Sequence, residues 1–201
     1  GGGYLYYRRG TPNGDGSITW SAAEQQVSTT YGEIWDATIS VDSNGYVWIG
    51  YADGFTTSYP FVIKSGNNDG TWGTTPGGFP YQLSSTQMHV AVPIPLTGGK
   101  MFVLYHANGG PVYGKRWDGA AWGSERGTAS TADQYYSAVA QGDDVHLVFN
   151  AYPPALVYEK YTYASNSWGT ETTIQSLNYW DQYPVLCRNS ANNDLYCFWD
   201  D

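Results

Sequence analysis

Apolar and polar residues alternate with period two in short bursts along the chain. Residues 37–51, 90–105, 137–150 and 184–199 each split into two such bursts around a polar turn, the pattern of a β-hairpin half buried against a core. The turns read Asp42-Ser43-Asn44-Gly45, Thr97-Gly98-Gly99, Gly142-Asp143-Asp144 and Ala191-Asn192-Asn193. Asn-Gly is a strong hairpin signal because both residues accept positive φ at little cost. No stretch of ten or more residues sustains an apolar helical period. The expected fold class is all-β.

The bursts belong to a larger repeat. A Trp after a polar turn recurs as Trp20, Trp72, Trp122 and Trp168, at intervals of 52, 50 and 46 residues. Upstream of each lies a strand-like run: 4–9, 60–65, 112–117 and 156–163. One repeat is therefore two hairpins, four strands in about fifty residues. A lone four-stranded sheet with two apolar faces cannot bury both, and radial packing of such sheets solves this. The expectation is a β-propeller of four four-stranded blades in a single domain, 1–201. Its blades would be 32–79, 87–127, 134–175 and a composite of 180–201 plus 1–27. A β-sandwich also places strands at short spacing, without requiring whole hairpin pairs to recur.

Joining 198–201 to 1–8 reproduces the order of aromatic, polar, glycine, Tyr and basic residues found at 104–115. The N-terminal outer hairpin is thus expected to complete the C-terminal blade, with 4–9 pairing with 195–199. Within one molecule this closes a ring; between molecules it is a strand exchange that builds a filament or surface layer. A window cut from a longer array is the other reading, and the opening Gly1-Gly2-Gly3 without Met suggests a processed product or a piece of a longer chain.

Composition agrees with strands and turns: 17% aromatic residues, nine Trp and nineteen Tyr among them, with twenty-five Gly and ten Pro. The net charge of −9 argues against nucleic acid, whose phosphates require a basic footprint. It also disfavours a polyanionic glycan as a long-range partner. No apolar run approaches the roughly 20 residues of a membrane-spanning helix, so no membrane span is expected.

Residues 36–48, Asp-Ala-Thr-Ile-Ser-Val-Asp-Ser-Asn-Gly-Tyr-Val-Trp, resemble the inner hairpin of sialidase-like propellers that carry BNR, or Asp-box, repeats. The family's box reads Ser-x-Asp-x-Gly-x-Thr-Trp. Here Ser65, Thr71 and Trp72 match, while Asn67 and Asp69 stand at the Asp and Gly positions; Asp15, Thr19 and Trp20 match in the first repeat, and Trp122 and Trp168 keep only the final Trp. The resemblance implies that the boxes are structural turns whose Trp staples one hairpin to its neighbour. Family catalysis needs three arginines on a carboxylate, a Tyr nucleophile with a Glu, and an Asp acid/base. The five arginines, Arg8, Arg9, Arg116, Arg126 and Arg188, do not fall where that triad is expected. Related lyases use His and Tyr, which brings in His89 and His106; His146, inside a strand, reads as a packed histidine.

Four segments that lead into the inner strands carry the candidate ligand-binding residues: Trp35 and Asp36, His89, Tyr135 and Tyr136, Trp180 and Asp181. They lie on one face of a propeller, with His106 at the head of a loop beside them. Flat rings beside planar polar groups suit sugars, which offer a C–H face and hydroxyls; the same rings also suit plain packing between blades. The expected function is a non-catalytic glycan-binding or structural module outside the cell, with a neutral glycan as partner. The alternative is a polysaccharide-active enzyme domain. No zinc spacing or phosphate loop is present, so no metal or cofactor is expected. Acidic turns at Asp143-Asp144 and Asp200-Asp201 read as solvated turns rather than calcium sites. Cys187 and Cys197 flank residue 192 symmetrically and are expected to face each other across the last hairpin as a disulfide, which would place the protein in an oxidising compartment.

Overall fold

The computed structural model describes residues 3–28, 32, 34–54, 58–107, 109–177 and 183–200, with the backbone alone at His89, Asp133 and Gln134. The fold is all-β, with a single 3-10 turn, Thr97–Gly99, and no α-helix among the described residues. Valine, isoleucine and aromatic residues fill its strands because their branched or flat side chains pack well on a pleated surface.

The N-terminal part forms two small ribbons. Strand β1 (Tyr6–Tyr7) pairs with β4 (Gln25–Gln26), and β2 (Gly10–Pro12) with β3 (Ile18–Trp20). Next comes a four-stranded antiparallel meander, β5 (Ile34–Val41), β6 (Val47–Asp53), β7 (Tyr59–Lys64) and β8 (Tyr81–Gln82). A second meander runs through β9 (His89–Pro95), β10 (Met101–His106), β11 (Pro111–Trp117) and the first part of β12 (Arg126–Gln141). The second part of β12 opens a third meander with β13 (Asp144–Ala151) and β14 (Ala155–Thr162), edged by β15 (Ser167–Trp168) and β16 (Thr172–Ser176). A last hairpin pairs β17 (Val185–Arg188) with β18 (Leu195–Phe198).

Three apolar layers lie between these units. The first joins Leu5, Tyr7 and Val27 to Val47, Ile49, Ile63 and Trp72. The second joins Trp48 and Val62 to Ala91, Met101, Val103 and Tyr105. The third joins Ile94, Phe102 and Leu104 to Val145, Leu147 and Phe149. Alternation along each strand makes this possible, because residues of odd and even number point to opposite faces. Strand β5 shows it: Thr38 donates to the Ala91 carbonyl (2.5 Å) on the second meander, while Ile39 and Val41 point the other way. At Gly50 a side chain would meet the Ala91 carbonyl oxygen at 2.0 Å, so glycine permits the close approach of the first two meanders.

The sheets are open. Among the described residues β18 pairs only with β17, and β1 pairs with β4. The pairing expected between 4–9 and 195–199 is not formed. Residues 5–7 instead sit on the first meander, where Tyr7 donates from its hydroxyl to the Gly70 carbonyl (3.0 Å) and its ring lies 5.9 Å from that of Trp72.

The expected disulfide is also corrected. In the last hairpin Cys187 lies opposite Tyr196, and Cys197 opposite Leu186. Both thiols are free, with Cys187 exposed. The turn is centred between Ala191 and Asn192, and a register displaced by one residue sends the two side chains to opposite faces. The cysteines therefore no longer speak for an oxidising compartment.

Candidate functional site

Three of the four segments leading into the inner strands share one feature, an irregularity in the ladder. The register shifts between Trp35 and Thr38 on β5, between Tyr105 and His106 opposite Val90 of β9, and between Ala132 and Tyr136 on β12. Asp36 and Val90 take φ of 50° and 39°, the left-handed region that side chains, a branched one above all, adopt only under constraint. Bulges re-aim side chains and gather beside binding sites. Three meanders thus bend their first strands at corresponding positions.

The bends bring several candidates together. His106 is 4% exposed; its Nε2 lies 3.2 Å from the Ala132 carbonyl oxygen, and its ring meets the Tyr136 ring edge-on at 6.2 Å. The Tyr136 hydroxyl is buried and has no hydrogen-bond partner among the described residues. Burial, and then the charge of Asp36, hold that phenol well above its ordinary ionisation range. Asp36 is itself exposed, as is the Trp35 ring beside it. Tyr135 accepts a hydrogen bond from the Tyr183 hydroxyl (3.0 Å), with ring centres 4.1 Å apart. The backbone of His89 pairs with His106. Trp180 and Asp181 lie outside the described residues.

Other candidates are committed elsewhere. His146 accepts from the Tyr158 hydroxyl at Nδ1 (2.7 Å) and holds Gln141 Oε1 at Nε2 (2.8 Å). Burial first, then Lys160, push its pKa down, so it is a neutral packed residue. The five arginines do not converge. Arg8 binds the Ser21 carbonyl, Arg9 that of Asp69, Arg116 that of Tyr163, Arg126 that of Asn166, and Arg188 the Asn193 side chain. Asp143 holds Lys100 and Thr97, and Asp144 holds Lys160. No group of three or more His, Cys, Asp or Glu suited to a metal ion occurs among the described residues.

The Trp72 box forms a tight polar turn. The Ser65 hydroxyl accepts from Asn67 N (3.1 Å), and Asp69 accepts from both the amide and the hydroxyl of Thr71 (2.9 and 2.7 Å). Trp72 is buried against Tyr7. Trp122 stacks on Tyr81 of the first meander at 4.9 Å, and Trp168 donates from Nε1 to the Arg126 carbonyl (3.3 Å) beside Phe102 of the second. Three of the four landmark tryptophans thus reach back to the unit before their own.

A polar groove of about 500 Å³ between the first and second meanders was missed in the sequence. Gln82, Ser84, Thr86, Lys115, Ser124 and Glu125 line it, and Glu125 accepts from the Tyr105 hydroxyl (2.8 Å). Its residues come from segments about thirty to forty positions apart, with no shared motif to connect them.

No known protein family and no curated protein matches the chain. Among solved structures it is similar to a protein of unknown function from Dyadobacter fermentans DSM 18053, with 10% identity and a TM-score of 0.53. The similarity covers 87% of this chain, which spans 59% of that neighbour's length. At such identity the likeness concerns the fold alone.

Proposed function

We propose that the chain is a non-catalytic glycan-recognition module built from propeller-type blades, with its binding face at the bent leading ends of β5, β9 and β12. The observation that carries this reading is the Tyr136 hydroxyl, buried without a partner beside Asp36 and His106. An unsatisfied buried hydroxyl costs stability unless something else repays it, and a ligand hydroxyl is a fitting partner. The exposed Trp35 ring, one residue before Asp36 in the same bend, supplies a flat apolar surface. Sequential four-stranded meanders stacked face to face, with their first strands bent at one end, support the propeller reading.

A neutral sugar suits this face better than a charged one, since Asp36 is the charge beside the phenol and the arginines are committed to carbonyl and amide oxygens. The competing enzyme reading has one observation in its favour, the ring contact of His106 with Tyr136. Against it, a proton-abstracting base needs a free ring nitrogen for its substrate, and His106 Nε2 is held at the Ala132 carbonyl oxygen.

Tyr136→Phe tests the proposal, because it removes one hydroxyl and keeps the ring. Expected are loss of binding on an array of neutral glycans and a melting temperature equal to or above that of the parent chain. Unchanged glycan binding, or a clear fall in melting temperature, refutes the assigned role. Product release from the same glycans would instead establish the enzyme reading.

A further inference from the structure

We propose that this chain associates head to tail with a second copy of itself, the outer face of the β17–β18 hairpin seating on the uncovered part of the first meander. The structure repeats one kind of interface along its length, and the two kinds of apolar surface that build it are both exposed elsewhere, on the β17–β18 hairpin and on β5. Where the second meander meets the third, Val92, Ile94, Phe102 and Leu104 pack on Ala138, Ala140, Val145 and Leu147. The last hairpin continues the series. Its Leu186 side is buried and bonded to the third meander through Ser137, while its opposite side presents Val185, Cys187, Tyr196 and Phe198.

That opposite side is the one that would receive the next sheet, and it is open. Phe198 is 71% exposed, and Val185 and Tyr196 are exposed with it. At the other end, the N-terminal ribbons cover Val47, Ile49 and Ile63 of the first meander but leave Ile39 and Val41 of β5 exposed. One molecule therefore carries an apolar inner-hairpin face and a matching apolar inner-strand face.

Two further features point to the same partner. Strands β6, β10 and β13 each pair with a following strand, β7, β11 and β14, whereas among the described residues β18 pairs with β17 alone and β1 with β4 alone. Free edges of this kind pair with other chains unless they are covered. Trp20 is the one landmark tryptophan that is largely exposed, at 54%, where Trp72, Trp122 and Trp168 pack on the preceding unit. A second copy in head-to-tail register brings a strand to that edge and an apolar face to that hairpin at once. The contact is heterologous, so it extends into a row of copies unless the rotation closes.

Sedimentation of the whole chain over rising concentration tests this, together with Ile39→Asp and Phe198→Asp, each a change at an exposed side chain. The parent chain is expected to form dimers and longer species, and each variant to remain monomeric at the same concentration. Mixed in equal amounts, the variants are expected to form a 1:1 dimer, since each keeps the face the other lacks. A monomeric parent chain at every concentration overturns the proposal, as does a mixture that fails to pair or a variant that assembles like the parent. A melting curve for each variant checks folding. If either fails it, Val41→Cys joined to the native Cys187 by a short bis-maleimide is expected to give a ladder of linked copies that Cys187→Ser abolishes. Absence of that ladder equally overturns the proposal.

Discussion

Replacing Glu159 by glutamine separates the charge of one buried carboxyl from its shape. Glu159 sits in the middle of β14 opposite Leu147 and is 1% exposed, and its Oε2 has no hydrogen-bond partner among the described residues. Glu171 lies near it, its two oxygens accepting from the amide and hydroxyl of Ser130 at 2.6 Å. Burial first, and the Glu171 charge second, push the Glu159 pKa up to about 8 from 4.5. The folded chain therefore holds a proton that the unfolded chain releases between these values. Stability from this group is highest below pH 4.5, falls as pH rises, and has reached its full loss once pH passes 8. At about 1.4 kcal/mol per pKa unit the ceiling is ~5 kcal/mol, reduced in practice by local relaxation and water entry. Glutamine stays neutral throughout, so Glu159→Gln is expected to match the parent near pH 5 and to be more stable by a few kcal/mol near pH 9. Urea unfolding of both chains at pH 5, 7 and 9 measures this. A stability difference that does not grow with pH, or a glutamine variant weaker at pH 9, would falsify the buried-acid account.

Gly50→Ala drives a methyl against the Ala91 carbonyl oxygen and is expected to cost about 3 kcal/mol, the upper range for an overpacked core; a denaturation midpoint equal to that of the parent would show that the first two meanders do not touch there. Both thiols are expected to react with a thiol reagent in the native protein, Cys187 first, because Cys197 is half-buried and burial raises its pKa; an intact mass two hydrogens short, with no reaction, would restore the disulfide.

Alternation made the inner hairpins readable, since 37–51, 90–105, 137–150 and 184–199 overlap, to within three residues at either end, β5–β6, β9–β10, the second part of β12 with β13, and β17–β18. Each of these signals is local, a burst of period two on either side of a turn. The Trp landmarks were readable for the same reason, because a fixed spacing needs no knowledge of distant contacts. Long-range pairing was not. The likeness of 198–201 plus 1–8 to 104–115 is a likeness of residue order, and residue order does not say which strands pair. The N-terminal residues spend their apolar side chains, Leu5 and Tyr7, on the first meander instead.

The candidate site divides along the same line. Trp35, Asp36, Tyr135 and Tyr136 are recognisable as flat and polar residues ahead of inner strands, but sequence spacing alone does not place Tyr136 within reach of the Asp36 charge, a hundred positions away. Bulges do that, and a bulge is one extra residue that leaves the hydrophobic pattern on both sides intact. Register is equally sensitive in the last hairpin. The distance from Cys187 to Cys197 is symmetrical about residue 192, yet Asn193 adopts φ of 65° and donates from its amide to the Asn189 carbonyl (2.8 Å), which centres the turn half a residue earlier. That half residue decides which face each thiol occupies. Cys187 consequently stands with Val185, Tyr196 and Phe198 on the exposed face of the hairpin, and Cys197 stands with Leu186 on the other, so that two residues read as partners from their spacing are separated by the sheet itself.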